Sequence, residues 1–423
     1  STGGQLMPPI MGAGAFVMAS YTQIPYDRIV AVAALPAALY FATVAMFVRI
    51  TARRLGLGPM DDDGDSSAGH ALRKGGPTFL IPIAVVVGML LEGFTPSYAA
   101  VFGIAAVVVA SWVTETPMGP RRVVEALALG ARNMIMTAIL LCSVGIVVNV
   151  VSTAGVGNTF SLMIAEWSGG SVLIAFALIA LASLVLGMGL PVTAAYIVLA
   201  TLSAPALAGM ITDVALAGII ADGALPASAQ PILLLAAPEA ASALASGTMG
   251  ADEARALLAG LPLEVLGPLR DAAIPAGVAT TALLSAHMII FWLSQDSNVT
   301  PPVCLAAFTA AAIAKSPAMR TGFESWKIAK GLYLVPLLFA VTPILSGDPA
   351  EALTISALAL VGLYGLVAGF EGWMEARLPP PLRLAAFGFG AAAFWPSTLA
   401  INLAGVAGVL ALLAFSVWRR GRG

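Results

Sequence analysis

Long apolar runs recur along this chain and constrain its fold more than any other feature. A helix of about 17–25 mostly apolar residues crosses a hydrocarbon core of about 30 Å. The candidate spans are residues 29–50, 79–91, 98–113, 134–152, 171–186, 331–345, 353–370 and 384–418. The last run is interrupted at Trp395-Pro396, which predicts two shorter helices there. The pattern is typical of a polytopic membrane protein built from helices.

The composition supports this class and excludes others. Of 423 residues, 59% are hydrophobic and 10% are charged, against about 45–50% and about 25% in soluble globular proteins. A formal net charge of −2 lacks the basic excess that a nucleic-acid partner requires. Two histidines, two cysteines and scattered carboxylates supply neither a metal cluster nor an acid–base pair. We therefore expect an all-α polytopic membrane protein that is not an enzyme.

Three segments cannot continue a transmembrane helix. Residues 187–191 (G-M-G-L-P) hold two glycines and a proline, which cost about 1 and about 3 kcal/mol each in a helix interior. Residues 294–302 (S-Q-D-S-N-V-T-P-P) are polar, and the apolar arm that follows, 303–314, is too short to cross a membrane. Residues 2–9 (T-G-G-Q-L-M-P-P) open the chain in a similar way. We expect a discontinuous helix at the first segment and re-entrant hairpin tips at the other two.

The two hairpin tips look like copies of one another. Each has a short polar tip, a Pro-Pro pair and a small-residue apolar arm that reaches an Ala-Phe pair. When Pro8 is aligned with Pro301, Gln5 falls opposite Asn298. Opened backbone inside a membrane is tolerated only around a cavity or within protein. Duplicated broken segments therefore point to the binding site of a secondary transporter.

The motifs at the three interruptions also resemble a known family. The motifs are Gly187-Met-Gly-Leu-Pro-Val-Thr-Ala-Ala-Tyr-Ile, Ser297-Asn-Val-Thr-Pro-Pro-Val and Thr2-Gly-Gly-Gln-Leu-Met-Pro-Pro-Ile-Met-Gly. They resemble the fused permease of TRAP (tripartite ATP-independent periplasmic) transporters, in the branch served by TAXI-type binding proteins. The resemblance covers nearly the whole chain. Family members begin upstream of Thr2, so this chain is expected to be a C-terminal portion whose N-terminal part is missing.

The resemblance implies both a function and an architecture. Such permeases lie in the inner membrane of bacteria or archaea and take up small organic anions, often carboxylates. An extracytoplasmic TAXI-type protein delivers the substrate, and Na⁺ or H⁺ drives uptake. The implied fold is an inverted-repeat, elevator-type transporter, in which a transport domain with two re-entrant hairpins and discontinuous helices slides against a scaffold.

The interruptions also supply the candidate site residues. The residues expected to bind the coupling cation are Gly187, Gly189, Thr193, Ser297, Asn298 and Thr300. The residues expected to contact the substrate are Thr2, Gly3, Gly4, Gln5, Pro8, Pro9, Pro301 and Pro302. Asp296 is a candidate for cation or proton coupling, because a carboxylate at the bilayer centre costs about 2.5–3.5 kcal/mol on insertion scales. No cofactor is expected, and no metal other than Na⁺.

Each segment also has a simpler interpretation. The glycines at 187 and 189 are compatible with close helix packing alone, and residues 297–300 with a polar turn at the membrane surface. Asp296 would be merely solvated if its tip lay in a water-filled vestibule. For the whole chain, the alternatives to a carrier are a channel and a structural membrane subunit without its own complete transport site.

The chain divides by character into six segments. They are 1–20, the second arm of a truncated first hairpin; 21–133, scaffold helices with a solvated loop and an interfacial amphipathic helix at 117–132; 134–212, transport-domain helices with the break; 213–275, a polar insertion or crossover; 276–316, the second hairpin; and 317–423, a C-terminal scaffold with extra transmembrane helices. Lys and Arg gather at 49–54, 73–74, 121–132, 315–330, 377–383 and 419–422. The positive-inside rule assigns these stretches to the cytoplasmic side.

Overall fold

The computed structural model describes residues 2–58, 68–114, 117–242, 249–302 and 304–421. Within these ranges the regular structure is helical, and no β-strand is present. The α-helices are α1 (Ala13–Thr22), α2 (Tyr26–Arg54), α3 (Ala68–Leu91), α4 (Pro96–Ser111), α5 (Pro120–Thr153), α6 (Val156–Ser168), α7 (Val172–Gly187), α8 (Val192–Ala221), α9 (Gln230–Ala236), α10 (Ala251–Ala259), α11 (Leu263–Ala273), α12 (Ala276–Ser294), α13 (Leu305–Ala314), α14 (Ala318–Ile328), α15 (Gly331–Val341), α16 (Pro349–Glu371), α17 (Pro380–Phe394) and α18 (Leu399–Arg420).

Several of these helices have the length and apolarity of membrane spans. Five such helices occur in the part of the chain that the structure describes: α2, α8, α12 extended to Asn298, α16 and α18. Shorter apolar helices include α4, α7 and α13. The prediction of an all-α polytopic membrane protein is confirmed.

The helix α5 differs from the segments expected from sequence. The amphipathic stretch 117–132 and the apolar run 134–152 are not separate, because α5 is continuous over Pro120–Thr153. No proline follows Pro120 within it, so nothing in the backbone forces a break between the basic and apolar parts. By contrast, α17 ends at Phe394 and α18 begins at Leu399, which confirms the predicted interruption. Residues 59–67, which include the acidic stretch Asp61-Asp62-Asp63 of the predicted solvated loop, lie outside the described residues.

The chain forms two compact units. Unit 1 contains Gly3–Val147 and Ala357–Gly423, and unit 2 contains Thr2 and Val148–Ser356. In unit 1, glycines bring α16, α17 and α18 into close contact. A Cβ on Gly390 would lie 2.6 Å from the Leu366 nitrogen, and one on Gly405 would lie 2.4 Å from the Ala393 nitrogen. Small residues of this kind let membrane helices pack at short distance.

In unit 2, α12 is the most enclosed helix. Every residue from Ser285 to Ser294 is buried, including the large side chains of Phe291 and Trp292. A helix that is apolar and buried on all sides lies at the centre of its unit. Phe291 packs edge-on against Tyr196 of α8, and Trp292 packs edge-on against Phe339 of α15.

The predicted polar insertion, 213–275, has an apolar core of its own. The end of α8 packs with α9, α10 and α11 around a shared set of buried residues that includes Leu216, Leu233, Leu258 and Leu269. The boundary expected at residue 213 lies inside α8, which continues to Ala221. In its described residues, the segment is therefore a small helical layer with its own apolar core.

Candidate functional site

The break predicted at 187–191 is present in unit 2. The helix α7 ends at Gly187, and α8 begins at Val192, directly after Pro191. Proline at this position lacks the N–H that a continuous helix would use and so favours a new helix start. The break leaves the last carbonyl groups of α7 and the first N–H groups of α8 without partners inside their own helices.

The polar run at 294–302 is also non-helical at its centre. The helix α12 ends at Ser294, a short 3-10 helix follows at Gln295–Asn298, and α13 begins only at Leu305. The peptide bond between Pro301 and Pro302 is cis. The arm α13 has 10 residues and a length of about 15 Å, so it is too short to cross a membrane.

These two interruptions contact each other. A Cβ on Gly187 would lie 2.5 Å from Asp296 Oδ1, 3.2 Å from Ser297 Oγ and 3.3 Å from the Ser297 nitrogen. Only glycine allows the end of α7 to come this close to the polar tip. The end of α7 and the polar tip therefore lie side by side in unit 2. Gly189 has open space around its Cβ position, with no atom within 4 Å.

The Asp296 carboxylate is enclosed at this junction. Asp296 is 0% exposed, so its side chain is not solvated in this structure, contrary to the simpler interpretation. The Tyr333 hydroxyl donates to Asp296 Oδ2 over 3.3 Å, and the Trp326 indole donates to the Tyr333 oxygen over 3.2 Å. Within the described part of the chain, Asp296 Oδ1 has no hydrogen-bond partner, and no ion pair compensates the carboxylate.

The other predicted cation-binding residues lie in or beside the same junction. Ser297 and Thr300 are buried, and the Ser297 hydroxyl donates to the Ser294 carbonyl over 3.0 Å. Asn298 closes the 3-10 helix. Thr193 lies in the first turn of α8 and is half-buried. The set contains hydroxyl, carbonyl and carboxylate oxygens, which are the ligands that hard cations prefer.

The predicted substrate residues are distributed over two tips. Pro301 packs in unit 2 against α14, where a Cβ on Gly322 would lie 3.1 Å from the Pro301 ring. Pro302 is exposed. Of the residues at the first tip, Thr2 groups with unit 2, and Gly3, Gly4, Gln5, Pro8 and Pro9 belong to unit 1.

The first tip has the same local structure as the second. A 3-10 helix spans Thr2–Gln5. When the sequence is aligned so that Pro8 matches Pro301, these four residues match the 3-10 helix Gln295–Asn298. Each tip is followed by a cis Pro-Pro bond and a helix of 10 residues. In unit 1, the Tyr26 hydroxyl holds this tip by donating to the Pro9 carbonyl over 2.8 Å. The match of secondary structure at aligned positions supports the internal repeat.

Comparison with known families decides the general identity. Residues 1–345 match the family described as tripartite ATP-independent periplasmic transporter, DctM component. The chain belongs to the DctM family. No curated protein and no solved structure matches it.

Family membership fixes several properties of the chain. A DctM component is the large permease subunit of a TRAP transporter, so the chain is a transport protein rather than an enzyme. It implies a multi-pass position in a membrane and a substrate-binding protein as a partner. Residues 346–423, which include α16, α17 and α18, lie beyond the matched range.

Three residues at or beside the junction of this DctM-family chain were not among those predicted from the sequence. Ser183 is fully buried on α7, one turn before Gly187 and on the same helix face. Gln295 is fully buried directly beside Asp296. Tyr333 contacts the carboxylate from α15, and no local sequence signal could have assigned it because it lies 37 positions away. Among the described residues, no group of three His, Cys, Asp or Glu side chains forms a metal cluster.

Proposed function

We propose that this chain is the permease of a secondary transporter that couples the uptake of a small organic anion to the entry of Na⁺ or H⁺. The observation that carries the proposal is the contact between the end of α7 at Gly187 and the tip that encloses Asp296. A buried carboxylate without a cationic partner is costly, and a bound cation or a proton removes that cost. A transported ion would therefore stabilise the junction when it binds.

The residues around the break have the chemistry that this role requires. Helix α7 presents its negative C-terminal end at Gly187, which favours a cation. Gly187 and Gly189 would contribute carbonyl oxygens, and Ser297, Asn298 and Thr300 would contribute side-chain oxygens. The first turn of α8, with Thr193, presents free N–H groups that favour an anion. Asp296 would carry the proton if the coupling ion is H⁺.

The two tips also support a proposal for the substrate and the mechanism. We propose that the anion is a carboxylate and that Pro301 and Pro302 of the second tip contact it. The repeated 3-10 helix and Pro-Pro pair support an inverted-repeat carrier, and thus elevator movement of the hairpins. The motifs favour a TAXI-type binding protein as the partner and the inner membrane of a bacterium or archaeon as the location.

The first test of this proposal measures ion binding directly. Purified protein is titrated with radioactive Na⁺ in a scintillation proximity assay at several pH values. We expect saturable binding that Asp296→Asn weakens about tenfold or more, because the variant keeps the side-chain shape and removes the charge. Asp271→Asn is the matched control: Asp271 is exposed in the same unit, and its replacement should leave the affinity unchanged.

A second measurement covers proton coupling and separates carriers from channels. The protein is reconstituted in liposomes with its binding protein, and uptake of labelled carboxylates is followed under Na⁺ or pH gradients. A carrier gives saturable counterflow, whereas a channel gives none. If H⁺ is the coupling ion, Asp296→Asn should abolish the dependence of uptake on the pH gradient. If both gradients act equally on Asp296→Asn and the unmodified protein, the proposed site is wrong.

A further inference from the structure

A pocket lies in unit 1, and most of its lining residues are near the end of the chain. It is formed by the ends of α2, α16 and α18 and by the start of α17, and its volume is about 1130 Å³. Four arginines line it, namely Arg54, Arg377, Arg383 and Arg419. Most of its lining comes from residues beyond 345, outside the range that matches the DctM family.

The carboxylate that lines this pocket neutralises only one of its four arginines. Glu371 forms an ion pair with Arg54 over 2.6 Å. Arg383 donates to the carbonyl groups of Gly369 and Phe370 over 2.6 and 2.8 Å, which are neutral acceptors. Within the described residues, the Arg377 guanidinium has no hydrogen-bond or ion-pair partner, and Arg419 has no carboxylate partner. The pocket therefore carries a positive charge that an anion would balance.

The neighbouring carboxylate cannot provide that balance. Glu375 already pairs with three arginines of unit 1, Arg49, Arg53 and Arg420. The start of α17 adds to the positive potential, since Pro379 and Pro380 line the pocket and the positive end of the helix dipole lies there. The charge at this end of unit 1 is thus concentrated in and around the pocket.

The remaining walls of the pocket are apolar. Phe370, Trp373, Leu384 and Phe387 contribute them, and Phe370 packs edge-on against Phe387. The Trp373 indole N–H is buried and has no acceptor in the described part of the chain. An amphipathic anion would pair its charge with the arginines and lay its apolar part along the aromatic side chains. A free phosphate would use only the first of these features.

The location of the pocket identifies the ligand class. The helices α2, α16 and α18 are membrane-span candidates. Arg54 and Glu371, the last residues of α2 and α16, line the pocket, and so does Arg419, one residue before the end of α18. The pocket therefore lies where a bilayer ends. The positive-inside rule favours the cytoplasmic side, where anionic lipids attract basic residues. We propose that this pocket binds the headgroup of an acidic phospholipid, with its phosphate held by Arg377, Arg383 and Arg419 and its acyl chains along Phe370 and Phe387.

The test measures lipid retention by the purified full chain in native mass spectrometry. Phosphatidylglycerol and phosphatidylcholine with identical acyl chains are titrated separately, and glycerol phosphate is added as a soluble competitor. We expect phosphatidylglycerol to bind at least tenfold more tightly than phosphatidylcholine. Replacing both Arg377 and Arg419 by Gln should weaken phosphatidylglycerol binding roughly 30-fold, or about a factor of five per arginine.

The matched control is a double variant with the same change of charge elsewhere. Arg255→Gln together with Arg320→Gln alters two exposed arginines of unit 2 and should leave lipid binding unchanged. Arg383 is left intact because it caps α16, and gel filtration checks that both double variants are folded. Equal binding of the two lipids, or equal loss in both double variants, would overturn the proposal. Displacement of the lipid by equimolar glycerol phosphate would show a site for soluble anions and would also overturn it.

Discussion

At the scale of single residues, the missing side chain of Gly187 has the most direct consequence. The end of α7 reaches the polar tip only because no Cβ stands between them. In Gly187→Ala the new methyl group would overlap Asp296 Oδ1 at 2.5 Å and crowd the Ser297 nitrogen at 3.3 Å. We expect the carboxylate to be displaced, with stability reduced by about 1–3 kcal/mol and Na⁺ affinity reduced with it. Thermal unfolding and ion titration measure the two effects.

Gly218→Ala is the control for this substitution. Gly218 lies inside α8, and a Cβ there would have no atom within 4 Å. Alanine should raise the stability by up to about 1 kcal/mol, since it is the better helix former. If Gly187→Ala stabilises the protein to the same degree, the close approach of α7 to the tip is not a feature of the molecule in solution.

Residue-scale features were predictable only where the signal is local. The polar tip could be identified because Asp296, Ser297 and Asn298 interrupt an apolar run in the sequence itself. The burial of Asp296 could not, because it depends on Gly187 and Tyr333, which are distant in the chain and have no periodic relation to it. The helix α15 is apolar with a single tyrosine, and nothing in its sequence indicates that the tyrosine hydroxyl contacts a carboxylate.

At the scale of elements, glycine and proline made the broken helices predictable. The break before α8 and the separation of α17 from α18 both coincide with prolines that cannot continue a helix. The 3-10 helices of the two tips were not foreseen, since a four-residue element has little signal of its own. Their aligned positions nevertheless agree with the repeat inferred from the Pro-Pro pairs. The continuity of α5 was missed because a change from basic to apolar residues resembles a boundary.

The attachment of α11 to α8 provides an element-scale prediction. Arg270 donates to both carboxylate oxygens of Asp213, over 2.7 and 2.6 Å, and both side chains are mostly buried. A bidentate pair of this kind is stronger than a surface ion pair. In a double-mutant cycle of Asp213→Ala and Arg270→Ala, we expect a coupling free energy of about 1–3 kcal/mol in thermal or chemical unfolding.

The surface pair Arg255–Asp252 is the comparison for this cycle. It lies within α10, where Asp252 is almost fully exposed. Its coupling free energy should not exceed about 0.5 kcal/mol, because solvent screens exposed charges. Equal coupling in the two cycles would mean that the Arg270 pair does not hold the helical layer of 213–273 together.

At the scale of the whole molecule, composition was enough to predict a helical membrane protein. It could not predict that the first and last parts of the chain join in unit 1. Sparse charge and long apolar runs predicted a helical membrane protein. Unit 1, however, joins α2 to the last helices of the chain through Arg49 and Glu375, which are 326 positions apart. Such a contact leaves no local pattern, so the sequence suggested only that basic residues face one side. The helices beyond the family match are thus an integral part of a unit that begins near the start of the chain.

The contribution of ion pairs to this joining of α2 and the last helices can be measured by replacing two carboxylates. The side chains of Glu371 and Glu375 are 3% and 7% exposed, and together they pair with Arg49, Arg53, Arg54 and Arg420. Replacing both with Gln leaves four arginines crowded at one end of unit 1 without a compensating charge. We expect the stability to fall by about 1–3 kcal/mol. The loss should lie near the lower value, because the arginines are partly solvated.

The control is Glu125→Gln, which breaks only an exposed pair with Arg121 on α5, so its unfolding midpoint should stay unchanged. If the double variant unfolds at the same temperature as Glu125→Gln, then the last helices are held by glycine-mediated packing alone, and the ion pairs serve only to position the arginines of the pocket.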